Sequence, residues 1–174
     1  MKTFLSLIVL VGLISLPLMA QDYPRAEVFG GYQYLHIGSM GADVNANGWN
    51  ASLTGNFNKW FGVTGDFSGA YKTVGSADAR IYTYTGGPVI NLNHGGTINP
   101  FVHVLFGGAH LTASLSGMGS GSLNGFTTMA GGGVDVKLSK LLAVRGQADY
   151  VYYRFSGTNL DKNVRVSTGI VLRF

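Results

Sequence analysis

The last twelve residues, Asn163 to Phe174, constrain this chain most, and they must be read two at a time. Val164, Val166, Thr168, Ile170, Leu172 and Phe174 fall on one side; Asn163, Arg165, Ser167, Gly169, Val171 and Arg173 fall on the other. Successive strand residues point to opposite faces, so one face here is continuously apolar while the other carries two arginines. A soluble sheet gains little from an unprotected greasy edge strand. In a closed transmembrane barrel another strand covers that edge and lipid covers the greasy face.

Seven earlier segments alternate in the same way. Arg25–His36 sets Val28, Tyr32 and Tyr34 against Glu27, Phe29 and Gln33; Trp49–Phe57 sets Ala51 and Leu53 against Asn50, Ser52 and Thr54. Phe61–Tyr71 opposes Val63 and Phe67 to Thr64, Asp66 and Ser68, and Arg80–Leu92 opposes Tyr82, Tyr84 and Ile90 to Thr83, Thr85 and Val89. Phe101–Leu111 sets Val102, Val104 and Phe106 against His103, Leu105 and Gly107. His110 then falls on the apolar side, and a bulge at Gly107-Gly108 is expected to shift the phase. Phe126–Leu138 sets Val134 and Val136 against Met129, Asp135 and Lys137; Leu142–Tyr153 sets Val144, Ala148 and Tyr150 against Arg145, Gln147 and Asp149.

Segments of this length suit a strand that crosses a bilayer at a tilt. Short links, 58–60, 139–141 and the somewhat longer 91–100, would lie at one end. Stretches rich in Gly, Ser, Asn and Asp (37–48, 72–78, 112–125 and 155–162) read as longer loops at the other. Trp60, Phe61, Phe101 and Phe174 are expected near the short-turn end and the tyrosines toward the long-loop end, as two interfacial belts.

Charge chooses between this architecture and a soluble barrel with an apolar pocket. Glu27, Asp66, Asp135, Lys137, Arg145, Asp149, Arg165 and Arg173 all share the small, polar face, with Arg154 the exception near a loop end. A polar face turned outward would leave nearly every bulky side chain inside, more than eight strands can enclose. Turned inward, acids and bases neutralise one another, whereas an Arg or Lys facing mid-bilayer lipid costs about 2–4 kcal/mol. The fold expected is all-β: an eight-stranded antiparallel up-and-down transmembrane barrel. Charged residues make up only 11% of the chain and its 27 glycines argue against helices, in keeping with that fold. The formal charge of +4 is too small and scattered for nucleic acid binding, and the absence of cysteine excludes disulfides and thiolate metal sites.

Lys2, the apolar run Leu5 to Leu18 and the small Ala20 before Gln21 form the pattern of a cleavable secretory signal. The run is short for a membrane span and Pro17 breaks it. Residues 1–20 are therefore expected to be a signal peptide and residues 21–174 the barrel domain.

The signal, the eight strands, the polar lumen and the closing Val166-Ser167-Thr168-Gly169-Ile170-Val171-Leu172-Arg173-Phe174 resemble the OmpA-like and OmpX-like small outer-membrane β-barrel family. That resemblance implies an outer-membrane location, contact with outer-membrane lipid and lipopolysaccharide, and a monomer. It also implies that Ile170, Leu172 and Phe174 form the signal read by the outer-membrane assembly machinery.

The inward carboxylates could in principle serve as general acid and base, but a structural salt-bridge network is the simpler reading. If the sixth and seventh segments are joined by residues 139–141, Asp135 faces Arg145; closure of the barrel brings Glu27 near Arg173. His36, His94, His103 and His110 lack metal-ligand spacing, and no Ser sits in a recognisable nucleophile elbow. The glycine clusters lack the Lys-Ser/Thr of a phosphate loop and are expected to give curvature and lumen space. No catalytic, metal or cofactor site is expected. The chain reads as a non-catalytic barrel with a filled polar lumen and surface loops, supporting envelope structure or surface interaction. The alternatives are a lipid A-modifying enzyme and a small-conductance pore. Sequencing the N-terminus of protein purified from outer membranes should begin at Gln21; a start at Met1 would overturn the leader assignment.

Overall fold

A computed structural model of the chain describes residues 23–38, 44–74, 77–93, 96–115, 119–155 and 157–174. The expected leader lies outside the described residues. Eight strands follow in order: β1 Ala26–Ile37, β2 Val44–Asn56, β3 Phe61–Val74, β4 Ala77–Asn91, β5 Ile98–Leu115, β6 Gly119–Lys137, β7 Leu142–Phe155 and β8 Thr158–Arg173. Each pairs antiparallel with its sequence neighbour, and β1 pairs with β8 to close a barrel.

The seam runs in unbroken register from Glu27 opposite Arg173 to Ile37 opposite Asn163. At its base the Phe174 N–H donates to the Ala26 carbonyl at 2.8 Å, and the Arg25 N–H donates to the Phe174 carbonyl at 2.6 Å. Gly31 lies opposite Gly169 within the seam. A Cβ added to Gly169 would come within 2.5 Å of the Gly31 Cα, and one added to Gly31 within 2.8 Å of the Gly169 Cα. Backbone cannot give way there, so the seam closes because neither position carries a side chain.

The period-two pattern sorts the two faces. Leu53, Val63, Val102, Val144, Ile170 and Leu172 are exposed on the outside, while Gln33, Asn50, Asp66, Asp149 and Arg165 are buried inside. Tyrosines and Trp49 ring the outside toward one end; there Trp49 Nε1 donates to the Tyr71 hydroxyl at 3.1 Å, and the Tyr71 hydroxyl to that of Tyr82 at 3.3 Å. Trp60, Phe61 and Phe174 are exposed toward the other end.

Four expectations need correction. The glycine- and serine-rich stretch 112–125 is mostly strand, not loop: β5 and β6 stay paired up to Leu115 opposite Gly119. The stretches 72–78 and 155–162 likewise fall largely within strands. Once a hairpin is in register its ladder continues whatever the side chains, and composition alone cannot mark where it stops. Second, no bulge occurs at Gly107-Gly108, which stay in register opposite Thr85 and Tyr84. His110 remains on the outer face, directly between Tyr82 and Asn124, at the level of the tyrosine belt. The register shift instead lies between β7 and β8 at Val151/Tyr153.

Third, Phe101 is not a belt residue; it is 4% exposed and points inward. Fourth, the interior is not uniformly polar. Leu35, Ile81, Leu105, Met129, Val151, Tyr153 and Phe155 form one buried apolar cluster filling the lumen toward the tyrosine end. Small alanines at 46, 70 and 109 sit among them and make room for the large side chains.

The glycines generate a paired test. Gly169→Val should lower stability by about 1–3 kcal/mol or prevent closure outright. Gly55, which has nothing within 4 Å of an added Cβ, should accept valine with a change within about 0.5 kcal/mol. Urea unfolding and the heat-induced mobility shift in SDS gels read both; equal behaviour of the two variants would contradict the seam geometry.

Candidate functional site

Below the apolar cluster, every strand but β6 carries its polar residues inward into one ionic layer, and β6 adds Asp135 beneath a run of glycine. The layer divides into two linked groups. Nearer the short turns, Arg145 donates from Nε and Nη2 to both oxygens of Asp135, at 2.7 and 2.8 Å. The same Nη2 reaches Glu27 Oε2 at 3.1 Å, and Arg173 Nε donates to Glu27 Oε1 at 3.2 Å. The Arg145 guanidinium carbon lies 4.4 Å from the ring centre of Phe101 and 5.5 Å from that of Phe29. The inward turn of Phe101 thus gives the guanidinium an aromatic face as well as two carboxylates.

At mid-height, Arg165 Nη1 donates to Asp66 Oδ1 at 2.7 Å and Nε donates to Asp149 Oδ2 at 2.8 Å. His103 Nε2 lies 2.7 Å from the other Asp149 oxygen. Asn50 donates to Asp66 at 2.9 Å, and Gln147 bridges Asn50 and Asp149 at 3.5 and 3.3 Å, so that with His103 and Arg165 the group ties five strands together. Four carboxylates therefore face three guanidiniums and one imidazole, all but sealed from water.

Glycine makes this layer possible. Gly131 lies opposite Asp149 and Gly133 opposite Gln147 on β6, while Gly169 lies opposite Arg145 on β8. A Cβ on Gly133 would meet the Gln147 Cβ at 2.7 Å. Removing one strand's side chains lets its neighbour's long polar groups lean across the lumen. The space left, lined by Glu27, Thr64, His103, Arg145 and Gln147 among others, is about 10 Å³, room for one water at most.

Of the eight charged residues expected to share the lumen, Glu27, Asp66, Asp135, Arg145, Asp149, Arg165 and Arg173 meet in this layer. Lys137 does not. It shares the inward parity of Asp135 but sits at the end of β6 opposite Ala143, exposed to solvent. The terminal residues Ile170, Leu172 and Phe174 lie on the outer face, about half exposed. His103 was not anticipated as a member, although its parity with Leu105 already turned it inward beside the acids. His36 and His110 point outward, and each pairs its Nδ1 with an asparagine Oδ1, at 2.7 and 2.6 Å. His94 lies outside the described residues. Among the described residues no group of three or more His, Asp or Glu could hold a metal ion.

Burying these charges is tolerable only because each has a partner, and removing one strands the rest. Arg165→Met, which leaves Asp66 and Asp149 facing one another, should cost about 3–5 kcal/mol in urea unfolding of the refolded barrel; Asp135→Ala should cost several. Lys137→Met should stay within about 0.5 kcal/mol. Unfolding followed through the fluorescence of Trp49 and Trp60 separates these outcomes, and similar midpoints for Arg165→Met and Lys137→Met would sink the network.

Comparison with known proteins agrees with this architecture. The family described as "Outer membrane protein beta-barrel domain" matches residues 6–174. Neisserial surface protein A is 12% identical in its crystal structure, with a TM-score of 0.74 over 86% of this chain and 97% of that one. Ail, the attachment invasion locus protein of Yersinia pestis, is 22% identical with a TM-score of 0.66 over 87% and 99%. The N-terminal β-barrel domain of Pseudomonas aeruginosa OprF is 10% identical with a TM-score of 0.61 over 87% and 99%. At these identities the likeness is one of fold. No curated protein sequence matches the chain at a significant level.

Proposed function

We propose a function from one premise: the chain belongs to the outer membrane protein β-barrel domain family, and so to the outer membrane. On our reading it is a non-catalytic, plugged barrel that anchors a rim of strands beyond the bilayer, for envelope structure or surface interaction. The observation that carries this reading is the filling of the lumen. An ionic layer and an apolar layer are stacked in it, with about 10 Å³ of free space beside the charges. An ion would have to displace paired charges and then cross a dry apolar layer; both steps are costly.

Against the enzyme reading, the inward His103 is engaged by Asp149, and the interior hydroxyl pairs Ser68–Thr83 and Thr54–Thr64 hydrogen-bond to each other. Orientation follows from the strands: the end bearing the tyrosine belt and the extended hairpins faces outward, with the turns at 57–60 and 138–141 in the periplasm. Residues 1–20 act as the secretory signal. Ile170, Leu172 and Phe174, on the outer face, present the terminal strand to the assembly machinery. Lipid and lipopolysaccharide contact the outside of a monomeric barrel, with Arg80 and Arg154 emerging at the outward rim.

Two measurements test this function. Liposomes containing the purified barrel should swell no faster than empty ones in small sugars. Lipid A from cells with and without the gene should give the same mass spectrum. Swelling would replace the plug with a pore, and an added or missing acyl chain would replace the scaffold with an enzyme.

A further inference from the structure

The turns after β2 and β6 repeat one design on opposite sides of the barrel. In Phe57-Asn58-Lys59-Trp60-Phe61 the N–H groups of Phe57 and Asn58 donate to the Phe61 carbonyl, at 3.0 and 3.3 Å. In Leu138-Ser139-Lys140-Leu141-Leu142 those of Leu138 and Ser139 donate to the Leu142 carbonyl, at 2.9 and 3.0 Å. Asn58 Oδ1 accepts from the N–H groups of Trp60 and Phe61 at 2.8 and 2.9 Å; Ser139 Oγ accepts from those of Leu141 and Leu142 at 3.3 and 3.1 Å. The next strand fastens each turn in the same way, Asn91 N–H to the Trp60 carbonyl and Arg173 N–H to the Leu141 carbonyl. Two different sequences thus hold one conformation, with a lysine at the tip between apolar neighbours.

Both tips combine grease with unbalanced positive charge. Phe57 is 74% exposed and Leu138 61%, the highest values among the large apolar side chains described, and Trp60 and Leu141 are about half exposed. Lys59 and Lys140 are exposed as well, and Lys59 Nζ lies 5.6 Å from the ring centre of Trp60. Among the described residues the carboxylates at this end are Glu27 and Asp135, both buried and held by Arg145 and Arg173.

We propose that each turn binds an anionic phospholipid of the periplasmic leaflet. The apolar residues on either side of the lysine lie among the acyl chains, and the ammonium meets the phosphate at the surface. Charge selects the headgroup: phosphatidylcholine and phosphatidylethanolamine bring their own cation to the phosphate, whereas phosphatidylglycerol leaves it for the lysine. A soluble acidic partner fits less well, because it would have to span the mouth of the barrel to reach both tips and would leave Phe57 and Leu138 in water. Lipid surrounds the barrel and covers both. The inference rests on the orientation given above, with these turns in the periplasm.

The test reads tryptophan fluorescence of the full barrel in phosphatidylcholine bilayers that contain dibrominated phosphatidylglycerol or dibrominated phosphatidylcholine as quencher. The chain holds two tryptophans, so Trp49→Phe leaves Trp60 to report on the first turn. Replacing both by Phe and adding Leu141→Trp gives a reporter for the second. At low salt each reporter should favour the anionic lipid about fivefold, the gain that one lysine confers at a charged surface. Lys59→Gln should abolish the preference at the first reporter and spare the second, Lys140→Gln should do the reverse, and Lys59→Arg should retain both. Lys72→Gln removes the same charge from the other end of the barrel and should change neither. Equal quenching by the two lipids with the turns unaltered would overturn the proposal and leave the lysines to a soluble acidic partner. A preference reduced alike by Lys59→Gln and Lys72→Gln would overturn it too, since net charge would then account for it. These bilayers have the same lipids on both sides, so the ratios are independent of orientation. Labelling of Lys140→Cys on intact cells by a maleimide too large to cross the outer membrane would overturn the periplasmic assignment while the ratios stood. Conduction in liposomes would remove the plug and touch neither result.

Discussion

The structure depends on the requirement that every backbone N–H and C=O inside hydrocarbon find a partner within the protein. A lone hairpin or open sheet fails that requirement at its edges, each unpaired group costing several kcal/mol. The β1–β8 seam meets it by eleven successive residue pairs, with Phe174 bonded back to Arg25 and Ala26 at the base. Closure then dictates the rest. Eight strands fix a narrow lumen, whose inward positions are filled by side chains that fit each other.

Two kinds of filling are stacked in that lumen, and their order has a physical logic. Long, flexible Arg side chains need acceptors from several strands, and the glycines of β6 and β8 provide the clearance. Arg145 joins β6, β7 and β1 through Asp135 and Glu27; Arg165 joins β8, β7 and β3 through Asp149 and Asp66. Each guanidinium is thus a cross-lumen tie that a hydrophobic residue of equal volume would fill but not orient. Toward the tyrosine end, Tyr153 and Phe155 stack at 6.0 Å between ring centres among Leu105 and Met129.

What could be read from the sequence follows from the same division. Parity assigns a face, and it turned seven of the eight named charges into one layer. Pairs on neighbouring strands are readable too, because a three-residue turn at 139–141 fixes Asp135 opposite Arg145. Contacts between strands that are not neighbours, such as Arg165 with Asp66, depend on barrel diameter and tilt, which no local pattern encodes. Parity also says nothing about height. Lys137 faces inward yet clears the rim, and Phe101 looks like a belt residue until its neighbour Arg145 claims the ring. Strand ends were the least readable feature, since Gly, Ser and Asn serve a polar paired strand outside the bilayer as readily as a loop.

Those extended strands reintroduce the problem that closure removes. β3 to β6 form a four-stranded sheet that outruns its neighbours on both sides: β2 pairs with β3 only as far as Asn47 opposite Tyr71, and β7 stops opposite Gly125. The two exposed edges are not alike. On β3 only Lys72–Val74 stand clear, a run of three that carries a lysine, both of which discourage pairing with another chain. On β6 the run is twice as long and uncharged. Outside the bilayer water can satisfy such an edge, so the barrel's stability does not require it to be covered.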